Sequence, residues 1–273
     1  MHGGRYSFPV INHLLTFAIF LVIGIEIRDG LSHAKAAILP SLAALGGMIF
    51  PALIFLAISH EKAPWAVVMP TDVALAIGAL SILGNRVNPA VKLFLMTLAV
   101  ADDFFSLVAI GIFYRNELDI SSAFYTIGAA LIGALLPYRE MILKFIAPSI
   151  TFVVIPLYIW INLFSVIEVS AFTSSTSTYI VIARVIGKVL GITAVTTLLI
   201  RFTQLKLPTE LDLKEVAGVG LLSGMGMTVS LVIADITVTS PLVLSQIRAG
   251  LFLAAIISGL LGVLWLKRFP ASL

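Results

Sequence analysis

The chain of 273 residues contains no cysteine. That excludes disulfides and thiolate metal sites, and it leaves the compartment open. Charge is almost as scarce. Asp, Glu, Lys and Arg together make up 11% of the residues, against about 25% in soluble domains. No nucleophile–base set, metal-ligand spacing or phosphate-cradling glycine loop is present, which argues against an enzyme. The basic residues are scattered through short loops, so the net charge of +3 does not point to nucleic acid. The opening MHGGRYSFPV lacks the cationic stretch, apolar run and cleavage site of a signal peptide, and none is expected.

What fills the chain instead is apolar: 60% of the residues, with a mean hydropathy of +1.11. A soluble protein of this size could not hide so much apolar surface, so its solvent is lipid. The expected class is an all-α polytopic membrane protein, one integral domain over residues 1–273, with the bilayer as its constant partner. A bilayer core of about 30 Å needs roughly 20 apolar residues per helix. Charges, prolines and Asn/Gly turns divide the sequence into nine such segments: 8–27, 36–58, 65–84, 90–114, 121–137, 145–167, 178–201, 214–236 and 246–266.

Loop charge gives the orientation. Alternate ends of the nine spans place Arg28, Lys35, Arg86, Lys92, Arg139, Lys144, Arg201, Lys206, Lys214, Lys267 and Arg268 on one face. Arg5, Lys62, Arg115 and Arg248 fall on the other. A bias of 11 against 4 marks the richer face as cytoplasmic, with the N-terminus outside and the C-terminus inside.

Four ionisable groups fall deep inside predicted spans: Asp72, Asp102, Asp103 and Lys188. Each costs about 2.5–3.5 kcal/mol at a helix centre, so such groups face a wet cavity or a partner. Neighbours on a helix point about 100° apart, so Asp102 and Asp103 serve different directions. One is expected to pair with Lys188 and the other to form a cation site with Asp72. Carboxylate and hydroxyl oxygens suit hard cations, and Thr71 adds one. The same carboxylates can carry protons as a coupled set. A buried Asp–Lys pair can also simply brace two helices. Arg184, one turn before Lys188, is expected to snorkel to an interface, and Asp235 to be a solvated terminus. His13, His33 and His60 sit at span ends in packing or surface roles.

Two spans read as interrupted. Pro70 in VVMPTDVALAIG cannot donate a backbone hydrogen bond. In GVGLLSGMGMTVS, Gly218, Gly220, Gly224 and Gly226 crowd nine positions. They serve either close packing, as the GxxxG of Gly220 and Gly224 suggests, or unwinding. Residues 36–114 and 178–266 each form a three-helix group with an interrupted middle member. That is the sequence pattern of an inverted-repeat transporter.

These segments resemble the NhaA-type sodium/proton antiporters of bacteria. FLVIGIEIRDGL, LAALGGMIFPALIFLA, PTDVALAIGALSILGNRV, VKLFLMTLAVADDFFSLVAIGIFY, VIGKVLGI and GVGLLSGMGMTVSLVIA follow in that family's order. The resemblance implies that Asp103 binds the cation and exchanges protons, that Asp102 pairs with Lys188, and that both aspartates serve as metal ligands. It places Thr71 and Asp72 at the crossing of two unwound chains and Glu26 in a pH-responsive cytoplasmic mouth. It implies sodium or lithium exchange for protons across the bacterial inner membrane, serving pH homeostasis, with no cofactor. The family usually has twelve spans. Here one is expected to be missing before residue 8 and two between FYRNELD and SSAFYTIG, and the family's dimer-forming hairpin has no counterpart, leaving the oligomeric state open. The aspartate pair runs on into FFS instead of small residues. The alternative functions are a non-transporting structural or sensory homologue and a proton-coupled transporter of another cation or solute.

Overall fold

The computed structural model describes residues 9–32, 34–60, 62, 64–84, 87–114, 120–137, 141, 144–145, 147–164, 168–208 and 211–269. Among them the regular structure is entirely helical. The long apolar runs become α1 (Pro9–Ser32), α2 (Ala34–Ile58), α4 (Pro89–Phe113), α7 (Ser175–Phe202) and α10 (Pro241–Lys267). All five contain stretches long and apolar enough to cross a bilayer. Between α2 and α4 lie a single 3-10 turn, Trp65–Val68, and the short α3 (Val73–Ser81). Two further helices, α5 (120–135) and α6 (147–164), each contain a π-helical stretch, Phe124–Gly128 and Ile150–Val154. Residues 213–237 divide into α8 (Leu213–Leu222) and α9 (Thr228–Thr237).

Local chemistry sets several of these boundaries. Asn88 caps α4, accepting from the Ala90 amide at 2.8 Å, with Pro89 in the first turn where its missing N–H does no harm. Ser174 caps α7 through the Ser177 amide at 3.2 Å. Asp212 and Glu215 form a reciprocal capping box at the start of α8. These caps satisfy first-turn amides that the helices' own ladders cannot reach.

The helices assemble in two groups. In the first, α7 packs along α2 and also touches α8 and α10, while α4 lies against α2. In the second, α1 packs along α5 and touches α6. The two groups meet where α1 crosses α4 and where α6 approaches α9. Glycine permits the closest approach: a Cβ on Gly46 of α2 would meet the Gly191 carbonyl of α7, and one on Gly191 would meet that of Gly46. The outside of the bundle is apolar, with Leu53, Leu93, Ile112, Leu131, Phe152, Leu190 and Leu264 all exposed. So broad an apolar exterior fits lipid and not water.

The nine expected spans correspond to described helices, with the third and eighth broken. Three placements differ from expectation. Arg248 was assigned to a loop, yet α10 begins at Pro241 and places it about two turns inside, where it donates to Asp235 Oδ1 at 2.7 Å. Its tally on the outer face therefore falls away, and Asp235 is an ion-pair partner more than a free terminus. Arg184 does not snorkel; it is completely buried. His13 stacks on Tyr125 with ring centroids 4.6 Å apart, and His60 meets Tyr179 edge-on. Arg5, His33, Arg86, Arg115 and Arg139, used above for orientation or span ends, lie outside the described residues.

Candidate functional site: two broken helices crossing among buried charges

The breaks at 69–72 and 223–227 lie against each other in the middle of the first helix group. The Asp72 amide donates to the Met225 carbonyl at 3.2 Å, and Thr71 Oγ1 donates to the Ser223 carbonyl at 3.0 Å. Each break leaves two kinds of unpaired backbone: N–H groups where the next helix starts, and carbonyls where the previous one stops. The site is built around satisfying both.

Asp72 serves the N–H ends. Its Oδ1 accepts from the Leu75 amide at 3.3 Å, capping α3. Its Oδ2 accepts from Thr228 Oγ1 at 2.9 Å and from the Thr228 amide at 3.4 Å, at the start of α9. One carboxylate thus sits at two helix N-termini, where the backbone dipoles favour negative charge.

Two cations from α7 serve the carbonyl ends. Arg184 donates to the Val67 carbonyl at 3.0 Å, the Gly224 carbonyl at 3.2 Å and Ser230 Oγ at 2.9 Å, and also to the Pro70 carbonyl. Lys188 donates to the Met69 carbonyl, and to Thr71 Oγ1 at 2.9 Å. The glycines divide their work. Gly220, within α8, brings that helix close to Val189 of α7. Gly226 lies in the break, where a Cβ would collide with the Pro70 carbonyl and the Arg184 guanidinium. Gly224 faces the Ser258 hydroxyl. Both readings of this glycine cluster therefore apply, to different members.

Helix α4 brings the paired aspartates to the crossing. Lys188 Nζ lies 3.0 Å from Asp102 Oδ2, with both side chains fully buried. Asp103 points elsewhere, into a cavity of about 260 Å³ that Glu26, Thr71, Asp72 and Thr228 also line. Asp102 Oδ1, Asp103 Oδ1 and Ser106 Oγ are buried with no hydrogen-bond partner. Among the described residues no three His, Cys, Asp or Glu side chains are grouped as a resident metal site. The cavity runs from the level of the aspartates past Glu26 to Ser81, near the ends of α1 and α3. On the far side of the aspartates, α1 and α6 are joined through Asn12 and Asn162, whose amides exchange bonds of 3.4 and 3.5 Å.

The role of Arg184 in this arrangement is not visible from the sequence alone. Its place four residues before Lys188 is the one available signal, because residues i and i+4 share a helix face. Its full burial overturns the expectation that it snorkels to an interface.

This is a polytopic membrane protein built on two discontinuous helices that cross beside a pair of aspartates and two buried cations. The family profile described as Na+/H+ antiporter 1 matches residues 7–164 and 137–266. The chain belongs to that family. It is 27% identical over 319 residues to a protein of Salmonella arizonae named Na(+)/H(+) antiporter NhaA, covering 94% of this chain and 82% of the relative. A protein of the same name from Wigglesworthia glossinidia brevipalpis is 28% identical over 333 residues, covering 97% and 84%. In the first alignment, 94% of 273 residues is about 257, so about 62 of the 319 positions have no counterpart in this chain. At roughly 20 residues per span, a deficit of that size accommodates two helices and their loops.

Proposed function

We propose that the protein exchanges Na+ or Li+ for H+ across the bacterial inner membrane by alternating access, with its N-terminus outside and its C-terminus cytoplasmic. The carrying observation is that Asp102 and Asp103 diverge: Asp102 is tied to Lys188, while Asp103 opens on the cavity with an oxygen left unpartnered. A buried carboxylate without a partner must be neutralised, and a proton or a small cation can do so. The two occupants exclude each other at one oxygen pair, and exclusion is what couples their fluxes. Hydroxyls of Thr71 and Thr228, together with Asp72, supply further hard oxygens in the same cavity.

Alternating access starts from a cavity lined by residues towards one end of the bundle. Glu26, Ser81 and Ile150 lie towards the ends of their helices that the basic loops assign to the cytoplasm. Opening the other route requires the seam of Asn12 and Asn162 to part while the cytoplasmic mouth closes. The broken-helix group and the α1/α5/α6 group are the two bodies suited to that movement. Glu26 in the mouth is the candidate for pH response.

The test is transport in proteoliposomes. Wild type dissipates an imposed pH gradient when Na+ or Li+ is added, and Asp103→Asn reduces the rate to background with the protein still folded. Sodium-dependent flux in that variant equal to wild type would refute the assignment. A wild type that binds sodium without flux would instead support a sensory or structural homologue.

A further inference from the structure

Two cations on one face of α7, a helical turn apart, share the carbonyl ends of the crossing, but not evenly. Arg184 spends two bonds on the first break, to the Val67 and Pro70 carbonyls, and two on the second half of the crossing, to the Gly224 carbonyl and Ser230 Oγ. All four acceptors are neutral. Lys188 reaches the first break alone, at Met69 and Thr71, and its remaining contact is Asp102 on α4. Of the two cations, only Arg184 therefore joins the two broken chains to each other, adding to the direct bonds that Thr71, Asp72 and Thr228 make between them. Only Lys188 joins them to the aspartate pair.

We propose that Arg184 is a positioning residue, the one of the two cations that holds the two breaks in register alongside their direct bonds, leaving Lys188 free to separate from Asp102 during the cycle without the crossing coming apart. The chemistry of the two side chains fits this division. A guanidinium is planar, offers five donors in a fixed fork and stays charged under all working conditions, so it can bind four divergent oxygens permanently. An ammonium is a compact charge on a flexible stem, suited to making and breaking one ion pair. Removing Arg184 orphans three carbonyls and a hydroxyl in a buried site, and it loosens the Thr71, Asp72 and Thr228 oxygens that line the cavity. Removing the Lys188–Asp102 pair together leaves those four bonds intact.

The inference rests on the exchange reading for its meaning, but its first test does not need transport. Amide hydrogen exchange is followed across residues 66–76 and 222–230 in detergent-purified wild type, Arg184→Gln and the double variant Asp102→Asn/Lys188→Gln. The double variant is expected to keep protection within about threefold of wild type. Arg184→Gln is expected to exchange at least about tenfold faster, the order set by losing one charge-assisted hydrogen bond. Loss of protection in the double variant, or its retention in Arg184→Gln, overturns the proposal.

Arg184→Lys separates positioning from bulk stability. It keeps the charge but cannot span both breaks. In proteoliposomes normalised for folded protein, its apparent KM for Na+ should rise about tenfold with Vmax within about threefold, as one lost bond predicts. An unchanged KM with reduced Vmax would mark Arg184 as merely structural and overturn the proposal. Should wild type itself show no flux, the exchange reading fails while the protection data still decide the role of Arg184.

Discussion

Asp72 shows how much one side chain can do when water is absent. Its two oxygens cap α3 and α9 together, so a single charge neutralises two helix starts that would otherwise meet head to head. The same logic makes the neighbouring pair fragile. Lys188 and Asp102 are both fully buried, and deleting one partner leaves the other as an uncompensated charge. Asp102→Ala is therefore expected to destabilise the folded protein by about 3–5 kcal/mol, read as a lower Tm in detergent. Adding Lys188→Met should recover part of that loss, since the two charges leave together while the Met69 carbonyl loses its donor. A single variant as stable as wild type would mean that Lys188 gains nothing from Asp102.

At the scale of elements, the seam between α1 and α6 carries the clearest prediction. Asn12 and Asn162 face each other on the side of the aspartates away from the cavity, next to the buried Tyr158, whose backbone carbonyl accepts from Asn162 at 2.9 Å. In the proposed exchange cycle this seam parts to open the site to the opposite face. Because the chain has no cysteine, Asn12→Cys/Asn162→Cys can be made without background thiols. A short bifunctional thiol reagent should abolish sodium-dependent flux in this variant and spare each single variant. Undiminished flux in the bridged protein would move the outer gate elsewhere. The π-helical stretch Ile150–Val154 in the same α6 lies beside the cavity, a placement such irregularities often take near functional sites.

At the scale of the whole molecule, the arrangement is an apolar shell around a polar crossing. Orientation follows from loop charge, so a topology experiment addresses it directly. Cysteines at Lys62, after α2, and at Lys267, at the end of α10, should label from opposite sides. An impermeant maleimide on intact cells is expected to reach Lys62→Cys at once and Lys267→Cys only after the membrane is opened. The reverse pattern would invert the protein and place the cavity mouth outside.

Much of this architecture was legible in the sequence because lipid enforces a simple code. Long apolar runs must be helices, since nothing else satisfies the backbone in hydrocarbon, and a charge inside such a run is too costly to be incidental. Hence the spans, the two breaks and the depth of Asp72, Asp102, Asp103 and Lys188 could be read directly. Geometry within one helix required Asp102 and Asp103 to diverge, yet it could not say which would meet Lys188, because that depends on how α4 is rotated against α7. Arg184 escaped for the same reason: spacing along one helix does not reveal carbonyls brought to it from residues 67, 70 and 224. The identity of the buried charges is local information. Their partners are set by contacts between segments 40 to 156 residues apart in the chain, and only tertiary packing decides those.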